Sequence, residues 1–504
     1  MEENRVVVVD VINKISMKKT ILLIFLLNSF LGLSQEEKSD YKKRVLENTE
    51  LDIISSYYTQ KGENAAVTGG IGKEKLSDIA TNIVLSIPLN EDNVFTIDAT
   101  ISAYTSASSS NLNPFDASGA SSGEEENDDD DDEFDDKPNK SALSNIIGSP
   151  WIESSGASKG DVWANLNFNY SHSSKDRNSI VTANASVSSE YDYFSIGFGG
   201  GYTKLLNEKN TEIDIKGSIY LDTWHPAYPT EIHSYLEVEG DLNDGFFENV
   251  DILNENGNII NKNSSNAWNP FQNKLIDNKG RNTYSLSLSL SQILSKKAQI
   301  SIFFDVVQQN GWLANPMQRV YFSDRANYYI GNASSIPNYT SKNNKDVFQL
   351  ADDIERLPDT RLKIPIGTRL NYYLNEVVAL RTYYRYYYDD WGITSHTANI
   401  ELPIKISDTF TLYPSYRYYT QTAADYFAPF EQLASSSDFY TSDYDLSEFN
   451  SNQFGFGISY TDIFTKRRIW KFGLKSININ YSSYKRNTGL KAGIINAGLK
   501  FVMD

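Results

Sequence analysis

The sequence predicts an all-β protein: a closed antiparallel transmembrane β-barrel of about sixteen strands (range about 14–18), with short periplasmic turns and long extracellular loops. Three observations carry this. Apolar and polar residues alternate with period two, tight turns alternate with longer connections, and an export signal precedes both.

The alternation is clearest from Tyr284 to Ser291, Tyr-Ser-Leu-Ser-Leu-Ser-Leu-Ser, where every second residue is apolar. Successive strand side chains point to opposite faces, so this segment presents one apolar and one hydroxylated surface. The pattern recurs at Phe95–Ile101, Ile213–Leu221, Ile300–Val306, Leu362–Ile366 and Ala398–Ile406. A soluble β-sandwich would show it too, and the connections separate the two. Tight turns are predicted at Asn90–Asn93, Ser174–Asn178, Asn207–Asn210, Ser295–Lys297, Leu374–Glu376, Ser407–Thr409 and Thr465–Arg468. Between them lie connections of variable length, four of them long and polar: 106–159, 224–280, 310–359 and 422–451. Short turns on one rim and long loops on the other are the arrangement of outer-membrane barrels. The hairpins supply about fourteen strands. One strand before them, near Val45–Tyr58, and one after, near Thr488–Met503, raise the count to about sixteen and put both termini in the periplasm.

Residues 1–16 read as an over-called N-terminal extension and 17–34 as a signal peptide. Met17-Lys18-Lys19 is followed by an apolar run from Ile21 to Leu33, and Gly32 and Ser34 are the small residues before a cut ahead of Gln35. Residues 35–44 are a short periplasmic segment and 45–504 the barrel. No later stretch offers about eighteen consecutive apolar residues, so whatever spans must be strands.

Composition agrees. The chain is 40% hydrophobic and 13% aromatic with a mean hydropathy of -0.45, so its apolar residues are dispersed rather than gathered into helical spans. Tyr (33 residues) outnumbers the other aromatics, which suits an interface between hydrocarbon and water. A net charge of -19 argues against nucleic-acid binding through a general basic field. The absence of Cys removes thiol catalysis, thiolate metal sites and lipid acylation. The four His (His172, His225, His233, His396) have no metal-ligand spacing.

If apolar residues face lipid, the alternate residues face the lumen. That places an acidic wall of Glu50, Asp52, Asp98, Glu212, Asp214 and Asp305 on early strands, and a basic wall of Lys363, Arg369, Arg381, Arg385, Lys405 and Arg417 on later ones. Two readings stand side by side: a transverse field that orients charged solutes, or ion networks that hold the lumen shut. The acidic run Glu124–Asp136 lies in the first long loop. For its carboxylates, Asp128, Asp129, Asp130, Asp131 and Asp132 above all, the hard cation calcium is the candidate ligand, although the spaced pattern of an organised calcium loop is missing. Tyr383–Tyr388 and Tyr416–Tyr419 read as phenols outward and arginines inward, an aromatic girdle. Adjacent acids such as Asp389-Asp390 and Asp352-Asp353 point to opposite faces of a strand, which speaks against a glycosidase pair. Gly197–Tyr202 lies within a strand pattern, and no nucleophile elbow or phosphate-binding loop is present.

Several strings resemble an exported Bacteroidota family catalogued as domain-of-unknown-function family 3570: Ala65–Gly72, Ser102–Ser109, Asn315-Pro316 with Arg319–Phe322, Gln421–Pro429, Tyr440–Asp445 and Tyr484–Leu490. The resemblance implies an outer-membrane barrel and brings no substrate or catalytic residue. The final segment Asn496–Met503 resembles the signal read by the barrel-insertion machinery, with Gly498, Phe501 and Met503 at its marked positions.

The expected function is a porin-like channel for small polar solutes in the outer membrane of a Gram-negative bacterium, not an enzyme. Its partners would be membrane lipid, the insertion machinery and the solutes, with no cofactor apart from calcium in the acidic loop. The alternatives are a non-conducting barrel that docks a lipoprotein or periplasmic partner and, more remotely, an outer-membrane enzyme.

Overall fold

The computed structural model describes residues 44–108, 161–272, 274–276, 279–341, 343–344, 347–462, 464–465 and 467–503. The signal peptide and the acidic run with Asp128–Asp132 lie outside the described residues.

Sixteen long strands form the wall: β1 (Glu50–Gly62), β2 (Glu74–Pro88), β3 (Asn93–Ser108), β4 (Asp161–Ser173), β5 (Ser179–Ser189), β6 (Tyr193–Leu206), β7 (Thr211–Trp224), β8 (Lys279–Ser295), β9 (Ala298–Gly311), β10 (Thr360–Tyr373), β11 (Ala379–Asp389), β12 (Thr394–Glu401), β13 (Phe410–Gln421), β14 (Phe449–Thr461), β15 (Phe472–Arg486) and β16 (Lys491–Met503). Each pairs antiparallel with its chain neighbour, and β16 closes on β1 from Glu50↔Val502 to Lys61↔Lys491. The two-residue segments Ile404–Lys405 and Arg468–Ile469 complete the sheet.

The tight turns owe their form to short polar side chains that satisfy backbone donors locally. Asn90 Oδ1 accepts from the amides of Asp92 and Asn93. Asn375 does the same for Val377 and Val378, and Ser407 Oγ for Thr409 and Phe410. Between β6 and β7, Asn207, Glu208 and Lys209 all take positive φ.

Register then fixes which face each residue serves, because directly opposed residues share a face. Leu286, Leu288 and Leu290 of β8 oppose Val306, Phe304 and Ile302 on one side and Gly217, Ile215 and Ile213 on the other. This outward surface is apolar, with Leu286, Leu288, Leu290, Ile302, Ile213 and Ile215 exposed, as a lipid-facing band requires. Ser285, Ser287, Ser289 and Ser291 line the inside. In β6, Gly197, Gly199 and Gly201 also face inward, where an added Cβ would strike Tyr220, Asn184 or Thr182.

The apolar core of the molecule lies in the loops rather than in the wall. The connection between β7 and β8 contains helix α1 (Thr230–Glu237) and the segment Ile252–Asn254, which pairs with Tyr328–Gly331 from the β9–β10 connection. Val347–Gln349 adds a third strand. Trp268, Phe247, Ile252, Ile330, Phe348 and Leu350 pack together between these two loops. A further cluster of Val320, Phe322, Leu433 and Tyr440 joins the β13–β14 connection. The sequence marked these connections as long and polar. They instead bury large apolar side chains as a soluble domain does.

Gly311 ends β9 at φ +114°, and a Cβ there would meet Gly280 O and Arg281 Cα, both backbone atoms. Gly311→Ala should therefore lower the urea midpoint of the refolded barrel, a cost of roughly 1–3 kcal/mol. An unchanged midpoint would show that the strand end yields freely.

Candidate functional site

The loops cross the mouth. Arg319, between β9 and β10, donates from Nη1 to Val67 O in the β1–β2 connection at 2.8 Å. Those two connections are eight strands apart in a ring of sixteen, on opposite sides of the barrel. The same guanidinium forms a two-pronged pair with Glu231 of α1, Nε to Oε1 at 2.7 Å and Nη2 to Oε2 at 3.0 Å. The two side chains are 1% and 0% exposed. Gly69, at φ +75°, brings the β1–β2 connection against the Tyr321 ring, closer than any side chain there would allow. From the β13–β14 connection, Thr441 donates to Glu355 at 2.5 Å, Tyr440 donates to Asp353, and Asp443 accepts from Gln318 at 3.1 Å. Four connections thus form one folded assembly over the long-loop mouth.

Several of its buried acids are held toward their neutral forms. Burial, then the charge of Asp443, pushes Glu355 up to about 8, against hydrogen bonds from Thr441 and the Asn315 amide. Burial and the neighbouring Asp445 raise Asp443 to about 6. Burial raises Asp352 to about 6, opposed by the Phe322 amide and Arg325. Asp352 and Asp353 turn to different partners, Phe322 N and Arg356 respectively.

Beneath the assembly the inward face of the wall is charged and accessible. The wall residues Arg369, Arg381, Arg417 and Glu212 point inward by register and are nevertheless exposed. Cavities of about 870 Å³ and about 600 Å³ lie along the seam between loops and wall, and Trp312 lines both. A third, of about 390 Å³, is bounded by Arg385, Arg417, Arg486 and Thr397.

The residues anticipated from sequence are distributed as follows. Glu50, Asp52, Asp98, Glu212, Asp214 and Asp305 carry inward parity in β1, β3, β7 and β9. Several have local partners. Lys500 reaches Glu50 at 2.7 Å and Asp52 at 3.1 Å, Lys475 reaches Glu50 at 3.0 Å, and Lys216 reaches Asp214 at 2.8 Å. Asp98 accepts from Asn82. On the other wall, Lys363, Arg369, Arg381, Arg385 and Arg417 point inward from β10, β11 and β13. Arg381 binds Glu401 at 2.9 Å, and Lys405 binds Asp408 in the short-turn rim at 2.8 Å. Gly498, Phe501 and Met503 lie in β16.

One part of the tyrosine reading changes. Tyr383 and Tyr387 share the parity of Arg385, and Tyr419 that of Arg417, so all three face inward, while Tyr384, Tyr386, Tyr388, Tyr416 and Tyr418 face outward. Asp389, fully buried, binds Arg361 at 2.6 Å and Tyr387 at 2.8 Å, and accepts from the Trp391 and Ile393 amides. Arg361, Lys475, Lys500, Thr397 and Arg486 were missed as lumen residues. For Arg486 the signal was available: Ile479 and Tyr481 set the outward parity of β15. Among the described residues no group of three or more His, Asp or Glu could hold a metal ion.

The architecture is that of the outer-membrane β-barrels. The chain belongs to a protein family of unknown function, DUF3570, whose model matches residues 29–494. No curated protein sequence matches it. Among solved structures, a bacterial polysaccharide outer membrane secretin is 7% identical over 91% of this chain and 99% of that one, with a TM-score of 0.38. A mutant of the TodX monoaromatic hydrocarbon channel is 10% identical over 91% of each chain, TM-score 0.37. OccK1 of Pseudomonas aeruginosa is 7% identical over 91% of this chain and 99% of that one, TM-score 0.34. At these identities the likeness is one of fold.

Two predictions follow from the loop assembly. Arg319→Ala would strand a buried carboxylate, a loss of roughly 3–5 kcal/mol, so limited proteolysis should cut within residues 225–272 and 312–341 while circular dichroism of the barrel is retained. Protection equal to that of the parent would refute the role given to the pair. For the acids, folded pKa values lie above the ordinary ones, so their stabilising contribution is complete below about pH 4 and is lost as pH rises to about 8. Loop proteolysis should therefore speed up by at least about tenfold between pH 5 and 8.5. Glu355→Gln, which mimics the protonated acid, should flatten that rise.

Proposed function

We propose that this protein is an outer-membrane channel for small polar solutes, with its folded loops acting as a filter at the outer mouth. The observation that carries the reading is the exposure of inward-pointing charges inside a closed ring. Arg369, Arg381, Arg417 and Glu212 meet water on the lumen side while the outward face is apolar. Charged side chains placed so cheaply in the interior support the reading of a hydrated passage. The seam cavities supply the route past the loops, and their lining by Trp224, Trp312 and Arg281 suits polar solutes with some apolar surface.

The bridging of the mouth favours a second reading, a non-conducting barrel whose loop assembly docks a partner. Planar-bilayer recording separates the two. The channel reading expects small, discrete conductance steps from the full chain, and steps at least about threefold larger when residues 239–272 are replaced by a short Gly-Ser linker. Silence from both proteins would favour the scaffold.

A further inference from the structure

Arg385, Thr397, Tyr419, Ser451 and Arg486 stand in one register row across the five consecutive strands β11 to β15, each opposite the next. Parity turns all of them into the lumen, and the row begins and ends on a guanidinium. One step nearer the short-turn rim, the neighbouring row places Arg417 between Asn399 and Gln453. The cavity of about 390 Å³ lies over these two rows, just under the loop assembly.

The three cations are not equivalent. Arg486 is committed: its Nη1 lies 2.7 Å from Asp445, and its guanidinium sits 4.0 Å from the centre of the Phe449 ring. Asp445, which also lines the cavity, is thereby neutralised. Arg385 and Arg417 have no ion-pair partner among the described residues, and Arg385 Nε is buried without an acceptor. Between them in register lies Thr397, 3% exposed, whose Oγ1 is likewise buried with no hydrogen-bond partner. Buried polar groups left unsatisfied cost roughly 1–3 kcal/mol each and are rare unless something else completes them. Here two such groups and two unpaired guanidinium forks border one small cavity.

We infer that this corner of the lumen binds a small hydroxylated carboxylate, a sugar acid or hydroxy acid. The inference rests on the channel reading for its purpose, since the site lies on the solute's path. The planar guanidinium matches a carboxylate through two parallel hydrogen bonds, which favours that group over a halide. Thr397, Ser451 and Gln453 supply donors and acceptors for hydroxyls on the same molecule. Arg369, which is paired in register with Tyr383 and so belongs to the second row, extends the cationic surface around the wall. A bound anion could therefore move on without losing all electrostatic support.

The test is isothermal titration calorimetry on the full, detergent-folded chain with sodium gluconate, glucose and inorganic phosphate at constant ionic strength. Gluconate should give a saturable heat. Glucose should bind at least about tenfold more weakly, a gap of ~1.4 kcal/mol. The pair R385S/R417S should lose at least about tenfold in gluconate affinity, while R385K/R417K, which keeps charge but not the fork, should fall between. T397V, with nearly the same volume, should weaken gluconate by about two- to fivefold. Circular dichroism checks that each variant folds. No saturable gluconate heat, equal glucose binding, phosphate binding tighter than gluconate, or indifference to R385S/R417S would each overturn the site. Gluconate binding without bilayer conductance would sink the channel and leave the site standing. Conductance without gluconate binding would sink the site alone.

Discussion

Hydrocarbon offers the backbone no hydrogen-bond partner, and every other feature of the wall follows from that deficit. A sheet can cross lipid only if its last strand returns to its first. The pairing of β16 with β1 over twelve residues removes the edge that would otherwise be exposed. Once the ring is closed, period-two geometry leaves each residue a single choice, lipid or lumen. The Ser-Leu repeat of β8 is the plainest result: leucines where only hydrocarbon can be met, and hydroxyls where only water or a polar neighbour can be. The inward charges follow by the same logic. They are tolerated because they face the enclosed interior rather than hydrocarbon, and at the closure Lys500 bridges Glu50 and Asp52 across the seam between last and first strand.

The loops answer to a different solvent. Outside the bilayer they must balance chain entropy with buried apolar area as any soluble domain does. Fifty-residue connections are too long to stay structureless in a compact protein without some role. Trp268, Phe247 and Ile330 supply the area, and Trp268 Nε1 still finds Ala351 O at 2.9 Å. What makes the assembly span the mouth is the pairing of Arg319 with Glu231 and Val67, which ties opposite sides of the ring at one buried point. The protonation preferences of Glu355, Asp443 and Asp352 belong to the same economy, because a neutral acid in a dry interior keeps its hydrogen bonds without an uncompensated charge.

The wall was largely legible in the sequence because its rules are local. Alternation at Tyr284–Ser291 and short polar residues at Asn90, Asn375 and Ser407 each report their own structure within a few positions. The loop assembly was not legible, for a physical reason. Its core joins residues such as Trp268 and Phe348, separated by eighty positions, with no repeat to announce them. Hydrophilic composition hid that core, since the exposed Asn and Ser around it dominate the count. The charged walls fall between these cases. Parity could place Arg385 and Arg417 inward, but not show that Arg486 would be consumed by Asp445 or that Glu50 would meet Lys500. The tyrosine-rich strands mislead because a run of identical residues erases the alternation from which parity is read, so the sequence does not separate the inward Tyr383, Tyr387 and Tyr419 from their outward neighbours.

Burial and pairing together distinguish the charges that hold the molecule from those available to a solute. Arg319 and Glu231 are dry and matched, the condition under which a buried charge is tolerable, and removal of either leaves a penalty. Arg369 and Arg417 are exposed and, among the described residues, without a carboxylate partner, which costs little where solvent can reach and leaves their field free to act. Arg385 belongs fully to neither group. It faces the lumen as Arg417 does, yet its Nε and the adjacent Thr397 hydroxyl are withdrawn from water as in a protein interior. A position that is half dry and unsatisfied is poorly explained as structural, because no side-chain hydrogen bond or ion pair among the described residues is made by it. It is well explained as one side of the proposed interaction, whose other side would arrive from solution just below the loops, where the barrel interior begins.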